Sequence, residues 1–316
     1  MRKHNTIYLE NDNGDARPLP VERVGNIHLF GEVDFNTALL RLLSKHGVYI
    51  HIYNYYGFYE GSYCPRKSKV SGYTVVHQAS HYMDDKKRLY LARSFVLAGL
   101  HHMIRNLRKR SASPEVLVHS DTLKSYEHMM MEAKSIDELM GLEGKCRNIY
   151  YHAFQHLLKN NMKWESRSKQ PPRDPVNALL SFGNSLMYTT ILSEIYKTVL
   201  DPTISYLHEP SYKRFSLCLD MAEIFKPLIV DSIIFSLLNN KRLQKKHFQA
   251  EDEAVLLNDE GRRRFLSAFD EKLRTTFKHR KLKRSVSYRY LIRLEAYKLI
   301  KHVIGDELYK PFKAWW

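Results

Sequence analysis

The feature that most limits the fold is a change of texture at Pro65. Ahead of it the chain reads as short runs rich in β-branched and aromatic residues: TIYLE (6–10), ERVGNIHLFG (22–31), VYIHIYN (48–54) and FYEGSYC (58–64). Gly, Asn, Asp and Pro part these runs, so they predict strands. Among them DFNTALLRLLSKHG (34–47) has apolar residues at helical spacing and stops at Gly47, which predicts one helix. Beyond Pro65 the segments are long and amphipathic. The expected class is therefore α+β. A small N-terminal β-rich domain spans residues 1–70, and a larger all-α catalytic domain spans residues 71–316.

Cap signals place the helices of the second domain. One is expected over about residues 71–110. Ser135 and Glu138 form a capping-box pattern that opens another, SIDELMGLEGKCRNIYYHAFQHLLK. Asp174 followed by Pro175 opens a third, with the acid as N-cap and the proline in the first turn. Further helices are expected from about Ser216, Glu260 and Val286. WESRSKQPPR (164–173) reads as a polar, mobile loop.

Charge limits the partners. Fifty Lys and Arg against 34 Asp and Glu leave a net charge of +16. A surplus of that size attracts polyanions. Nucleic acid is favoured over an anionic membrane, because no segment reads as an amphipathic lipid anchor. No run of about 18 apolar residues offers a membrane span. The opening MRKHNTIYLE lacks the apolar core of a secretion signal. Cys64, Cys146 and Cys218 lie far apart without CxxC spacing, so neither a disulfide framework nor a zinc site is expected. The chain reads as cytoplasmic. No glycine-rich phosphate loop or GxGxxG occurs, so no nucleotide cofactor is expected.

Candidate chemistry lies in the helical half. Glu143 is mid-helix, His208 is in a loop, and Asp220 and Glu223 share one helix face at i, i+3 spacing. Two acids among Leu, Met, Ile and Phe are costly unless a cation binds there. Carboxylates with one imidazole and no thiolate suit Mg²⁺ or Mn²⁺. The same spacing also describes an ordinary solvated face. Lys213 and Arg214 follow His208 and could receive phosphate. The run KLRTTFKHRKLKR (272–284) has seven basic residues and no acid. It is either a solvated helix face or a DNA-backbone contact through Lys278, Arg280, Lys281, Lys283 and Arg284. Arg105, Arg108, Lys109 and Arg110 form a second such cluster. His152 and His156 stand four apart, but HAFQH lacks the glutamate of a zinc-protease helix. The segment YKPFKAWW either packs on the fold or stacks on a partner.

The segments GNIHLFGEVDFN, NYYGFYEGSYCPR, MGLEGKCRNIYY, RDPVNALLSFG, LHEPSYKRFSLCLDMAEIFKP and YRYLIRLEAYKLIKHVIG, in that order, resemble the CRISPR-associated integrase family that captures spacers. The resemblance covers nearly the whole chain. It implies metal ligands at Glu143, His208 and Glu223, with Asp220 as a companion acid beside the metal and Asn177 as an orienting residue. Some members carry Asp where this chain has Glu223. Members often have one more strand ahead of the first segment here. The implied chemistry is metal-assisted attack of a DNA 3′ hydroxyl on a repeat phosphodiester, by a homodimer working with a small companion adaptation protein. If water replaces the hydroxyl, the same site is a nuclease. A stand-alone DNA-repair nuclease and a non-catalytic DNA-binding scaffold are the rival readings.

Overall fold

The computed structural model describes every residue except 1, 4–5, 12, 67–68, 111–112, 160–161, 163, 165 and 169. The chain divides into two compact units, Met1–Lys69 and Val70–Trp316.

Among its described residues the first unit holds two three-stranded sheets. β1 (Arg2–Lys3), β2 (Thr6–Glu10) and β3 (Ala16–Pro20) form an antiparallel sheet in that order. Sequence patterning gives no strand at ARPLP, because proline opposes sheet pairing. Here β3 is an edge strand, where a missing N–H is tolerated. β4 (Asn26–Phe30) and β5 (Tyr49–Tyr53) pair in parallel, and β6 (Tyr59–Tyr63) adds antiparallel to β5. A parallel pair needs a crossover, and α1 (Thr37–His46) supplies it. Asn36 caps its start through Leu39 N, and Gly47 ends it with φ 65°. Leu39, Leu42 and Leu43 of α1 close the core over Ile7, Val48 and Ile50.

In the second unit the expected helix over residues 71–110 is two helices, α2 (Gly72–Met83) and α3 (Asp85–Arg110). Asp84 is extended between them, and its carboxylate accepts from Lys86 N and Lys87 N, which starts α3 afresh. α4 (Pro114–Glu132) is a helix that the sequence analysis does not place, although Ser113 caps it and Pro114 opens it. α5 (Ile136–His152) is followed by the short α6 (Phe154–Leu157). α7 (Pro175–Tyr196) is buried on nearly all sides, from Val176 to Ile195, so it is the centre of the unit. α8 (Ser216–Phe225) continues through a π-helical turn, Lys226–Asp231, into α9 (Ser232–Asn239). Pro227 breaks the regular pattern there, because its ring removes the amide that Glu223 O would accept from.

This unit is mostly helical rather than wholly so. Among the described residues two antiparallel hairpins interrupt it: β7 (Phe248–Glu251) with β8 (Ala254–Leu257), and β9 (Thr276–Lys278) with β10 (Ser285–Ser287). α10 (Asp259–Arg274) lies between the hairpins, and α11 (Tyr288–Val303) follows. A strand of three or four residues is too short to show a period of two, which is why the pattern is silent there. No helix among the described residues is long and apolar enough to cross a membrane.

Candidate active site

α5 and α8 bring the acids together. Glu143 and Arg147 are one turn apart on α5, and Asp220 and Glu223 lie on α8 with Lys226 one turn further. Arg147 Nε donates to Glu143 Oε1 at 2.6 Å, and the same guanidinium donates to Glu223 Oε2. Lys226 Nζ donates to the other oxygen of Glu223 at 3.0 Å. Glu143 and Glu223 thus converge on one cation. Burial on its own would raise the Glu223 carboxyl, but Arg147, then Lys226, then His208 pull it down to about 2. Burial likewise disfavours the Arg147 charge, and Glu223 and Glu143 outweigh it and keep the guanidinium ionised.

Asp220 is fully buried and has a different task. Its Oδ2 accepts from Tyr206 N at 2.6 Å and Leu207 N at 3.0 Å; its Oδ1 accepts from His208 N at 3.0 Å. The His208 ring places Nδ1 2.8 Å from the same Oδ1. One carboxylate therefore shapes the loop and turns the imidazole so that Nε2 is left for another partner. A carboxylate behind a ligating histidine orients the ring and raises its basicity.

α8 is held against α3 by close approach. A Cβ on Gly99 would meet Glu223 O at 2.8 Å, so only glycine lets α3 come this near. Asn106 Nδ2 donates to Pro227 O at 2.7 Å. His102 Nδ1 lies 2.9 Å from Ile224 O, and since a carbonyl only accepts, that nitrogen carries the proton. Complete burial, with repulsion from His101, lowers the His102 ring to about 3, so it is neutral in this role.

Among the described residues no three His, Cys, Asp or Glu side chains are grouped so as to hold a metal ion. Arg147 and Lys226 neutralise the two glutamates instead. The donor chemistry still fits a hard divalent ion: two gathered carboxylates that demand positive charge, and an imidazole oriented through its far nitrogen. Sequence reasoning missed Arg147 and Lys226. Their signal was the i, i+4 spacing of Glu143 with Arg147 and the i, i+3 spacing of Glu223 with Lys226.

The other named residues lie elsewhere. Asn177 is buried and pins the 166–168 segment: its Oδ1 accepts from Arg167 at 2.8 Å and from Ser168 N at 2.9 Å. Trp164 is also buried and donates to Tyr151 O at 2.9 Å. The described part of the expected mobile loop is therefore bonded to helices, whereas Glu165 and Lys169 fall outside the described residues. Lys213 and Arg214 sit in the loop before α8, and Arg214 donates to Glu209 O. Lys278, Arg280, Lys281, Lys283 and Arg284 lie on the β9–β10 hairpin, exposed. Lys281 alone among them has an acidic partner among the described residues, Glu307 at 2.5 Å.

A strand-rich unit followed by a helical unit, with acids of two helices gathered around a cation, defines an α+β protein with a polar centre. Residues 1–271 match the family model described as CRISPR associated protein Cas1. A protein of Thermodesulfovibrio yellowstonii named CRISPR-associated endonuclease Cas1 3 is 53% identical over 315 residues, spanning 100% of this chain and 96% of that one. The solved structure of a CAS1 protein from Thermotoga maritima is 40% identical with a TM-score of 0.88, over 99% of this chain and 96% of the other. Two more distant structures share the fold. A casposase bound to integration product has 21% identity and a TM-score of 0.83, over 98% of this chain and 89% of its own. A chain of a Cas6-RT-Cas1--Cas2 complex has 19% identity and a TM-score of 0.84, over 100% of this chain and 35% of its own. The chain belongs to the Cas1 family.

Proposed function

We propose that this chain is a metal-dependent DNA endonuclease and integrase. It inserts captured DNA fragments into a CRISPR array by attack of their 3′ hydroxyls on repeat phosphodiesters. The observation that carries the reading is the convergence of Glu143 and Glu223 on one partly buried cation, beside an imidazole held by Asp220. Relatives named CRISPR-associated endonuclease support the nuclease half, and a casposase of the same fold bound to integration product supports the joining half.

Glu143, His208 and Glu223 would hold Mg²⁺ or Mn²⁺. Bound there, the ion would polarise a phosphoryl oxygen and stabilise charge on the attacking or leaving oxygen. The protein supplies the rest. Asp220 keeps His208 aimed. Arg147 and Lys226 hold the acids in place and offer positive charge to a phosphate. Lys213 and Arg214 stand on the loop by which a backbone would approach. The exposed hairpin cations position duplex DNA without reading its sequence.

The working unit is a homodimer with a small companion protein; for the companion alone, support comes from a Cas6-RT-Cas1--Cas2 complex, one chain of which shares this fold. Light scattering of the full chain at micromolar concentration is expected to report a dimer; a monomer overturns that part. The deciding experiment compares fragments ending in a free 3′ hydroxyl with fragments ending in a 3′ dideoxynucleotide, offered with a repeat-bearing plasmid, the companion protein and Mn²⁺. Joining is expected only with the free hydroxyl. Nicking with both ends and joining with neither would leave a nuclease that uses water alone.

A further inference from the structure

The segment YKPFKAWW after α11 is firmly held. Tyr309 OH donates to Glu295 at 2.7 Å and Phe312 N donates to the same oxygen at 3.0 Å. At Ala314, His101 Nε2 reaches the carbonyl at 2.8 Å and the amide donates to His102 Nε2 at 3.0 Å. Two adjacent histidines of α3 thus hold both backbone polar groups of Ala314. Phe277 of β9 packs under the tryptophans, with ring centroids 4.5 Å from Trp316 and 6.0 Å from Trp315. The two indoles meet nearly at right angles, 87° apart, so their faces point in different directions.

Each indole borders a basic cavity. Trp316, 36% exposed, lines a cavity of about 510 Å³ with Arg105, Lys109 and Lys124. That volume lies within the range of about 300–1,000 Å³ usual for small-ligand sites. None of those three cations has an ion pair or hydrogen bond among the described residues, whereas Arg108 beside them is paired with Asp121. The one acid lining the cavity, Glu127, faces Lys313. Trp315 borders a second cavity of about 240 Å³ with Arg280 and Lys310. The Arg280 guanidinium lies 4.6 Å from its ring centre. Cavities that pair an aromatic face with unpaired cations suit a base and its phosphate together. A duplex hides its base faces and cannot use them.

We propose that Trp315 and Trp316 form a stacking platform for unpaired nucleotides, between a cavity on α3–α4 and another beside the β9–β10 hairpin. The ligand is the single-stranded extension of a DNA fragment whose duplex part lies on the basic surface. The inference deepens the DNA-joining reading and rests on it.

The test uses the full chain and fluorescently labelled DNA: a blunt duplex and the same duplex carrying a short thymidine extension. The wild type is expected to favour the extended fragment by about tenfold or more, the scale of one stacked base. W315A/W316A is expected to lose that preference while binding the blunt duplex as the wild type does, and W316F to keep most of it. A thymidine oligonucleotide alone is expected to quench the tryptophan emission of the unmodified protein, which does not depend on any variant folding. Equal binding of both fragments by the wild type, or an unchanged preference in W315A/W316A, overturns the platform. So does competition by polyglutamate as strong as by the oligonucleotide. Failure to bind even the blunt duplex would instead sink the DNA reading beneath it.

Discussion

The acid centre on α5 and α8 and the basic hairpin β9–β10 carry charge in opposite ways. At the centre Asp220 and Glu223 are buried, Glu143 is partly buried, and each has named partners: Glu143 and Glu223 share Arg147, Glu223 also holds Lys226, and Asp220 is saturated by three amides and one imidazole. On the hairpin Lys278, Arg280, Lys283 and Arg284 stand in water without acidic partners among the described residues. Buried charge is tolerated only with defined partners, and removing one leaves the others uncompensated. Exposed charge is cheap, screened by salt and nearly additive. The centre is thus a single geometric unit, and the hairpin a sum of weak interactions.

The largest expected effect tests whether the centre acts as a unit. Glu143→Ala, His208→Ala and Glu223→Ala should each lower joining and cleavage on the order of 100-fold or more, while duplex binding by fluorescence anisotropy stays close to the wild type. Wild-type joining by His208→Ala in Mn²⁺ would remove the histidine from the site.

Stability sharpens the distinction inside the centre. Glu223→Ala leaves Arg147 and Lys226 without their shared partner, so urea unfolding should show a loss of about 3–5 kcal/mol. Adding Arg147→Met should recover part of it. His208→Ala, on a partly exposed ring, should cost far less. Asp220→Ala should be destabilised and should join DNA at a rate between His208→Ala and the wild type, since Asp220 acts through the ring it aims. Equal melting temperatures for all four variants would show that the centre is not a coupled unit.

The hairpin should behave as a sum. Neutralising Lys278, Arg280, Lys281 and Lys283 together should weaken binding to every duplex alike. The slope of log K against log salt should fall by about 0.9 for each DNA phosphate that the variant no longer neutralises. Lys281, already paired with Glu307, is expected to contribute least. An unchanged slope would reduce the hairpin to a solvated surface.

The smallest effect concerns pH. Burial raises the Asp231 carboxyl to about 6, against the hydrogen bond from Tyr150 and the pull of Arg147 and Arg110. A raised acid binds its proton more tightly in the folded state, so stability is lost as pH climbs from its unfolded value near 3.8 to about 6. Glu223 has the opposite sign: its contribution is present above about 4.5 and is lost as pH falls towards about 2. Asp231→Asn should flatten the melting temperature between pH 4 and pH 6, by roughly 1–2 kcal/mol in stability. A wild-type profile in that variant would place the titration on another group.

Much of this protein was determined by the sequence alone, because the relevant physics is local. The caps at Asn36, Ser135 and Asp174, the left-handed Gly47 and the i, i+3 acids of α8 depend on neighbours within one or two turns. The positive surplus needs no fold at all. The exceptions are also local in cause: Asp84 restarts a helix within an unbroken amphipathic pattern, and the hairpins on either side of α10 are too short to show a period. Only the tertiary structure decided what the charges do. Arg147 and Glu223 are 76 residues apart, and whether a glutamate faces water or a distant guanidinium depends on how the fold brings α5 and α8 together. The place of α8 turns on Gly99 of α3, whose missing side chain admits Glu223 O. Asp220 looks in sequence like one half of an acid pair; in the fold its oxygens are spent on the 206–208 backbone and the His208 ring. Close packing between distant segments assigned those partners, and no local pattern encodes it.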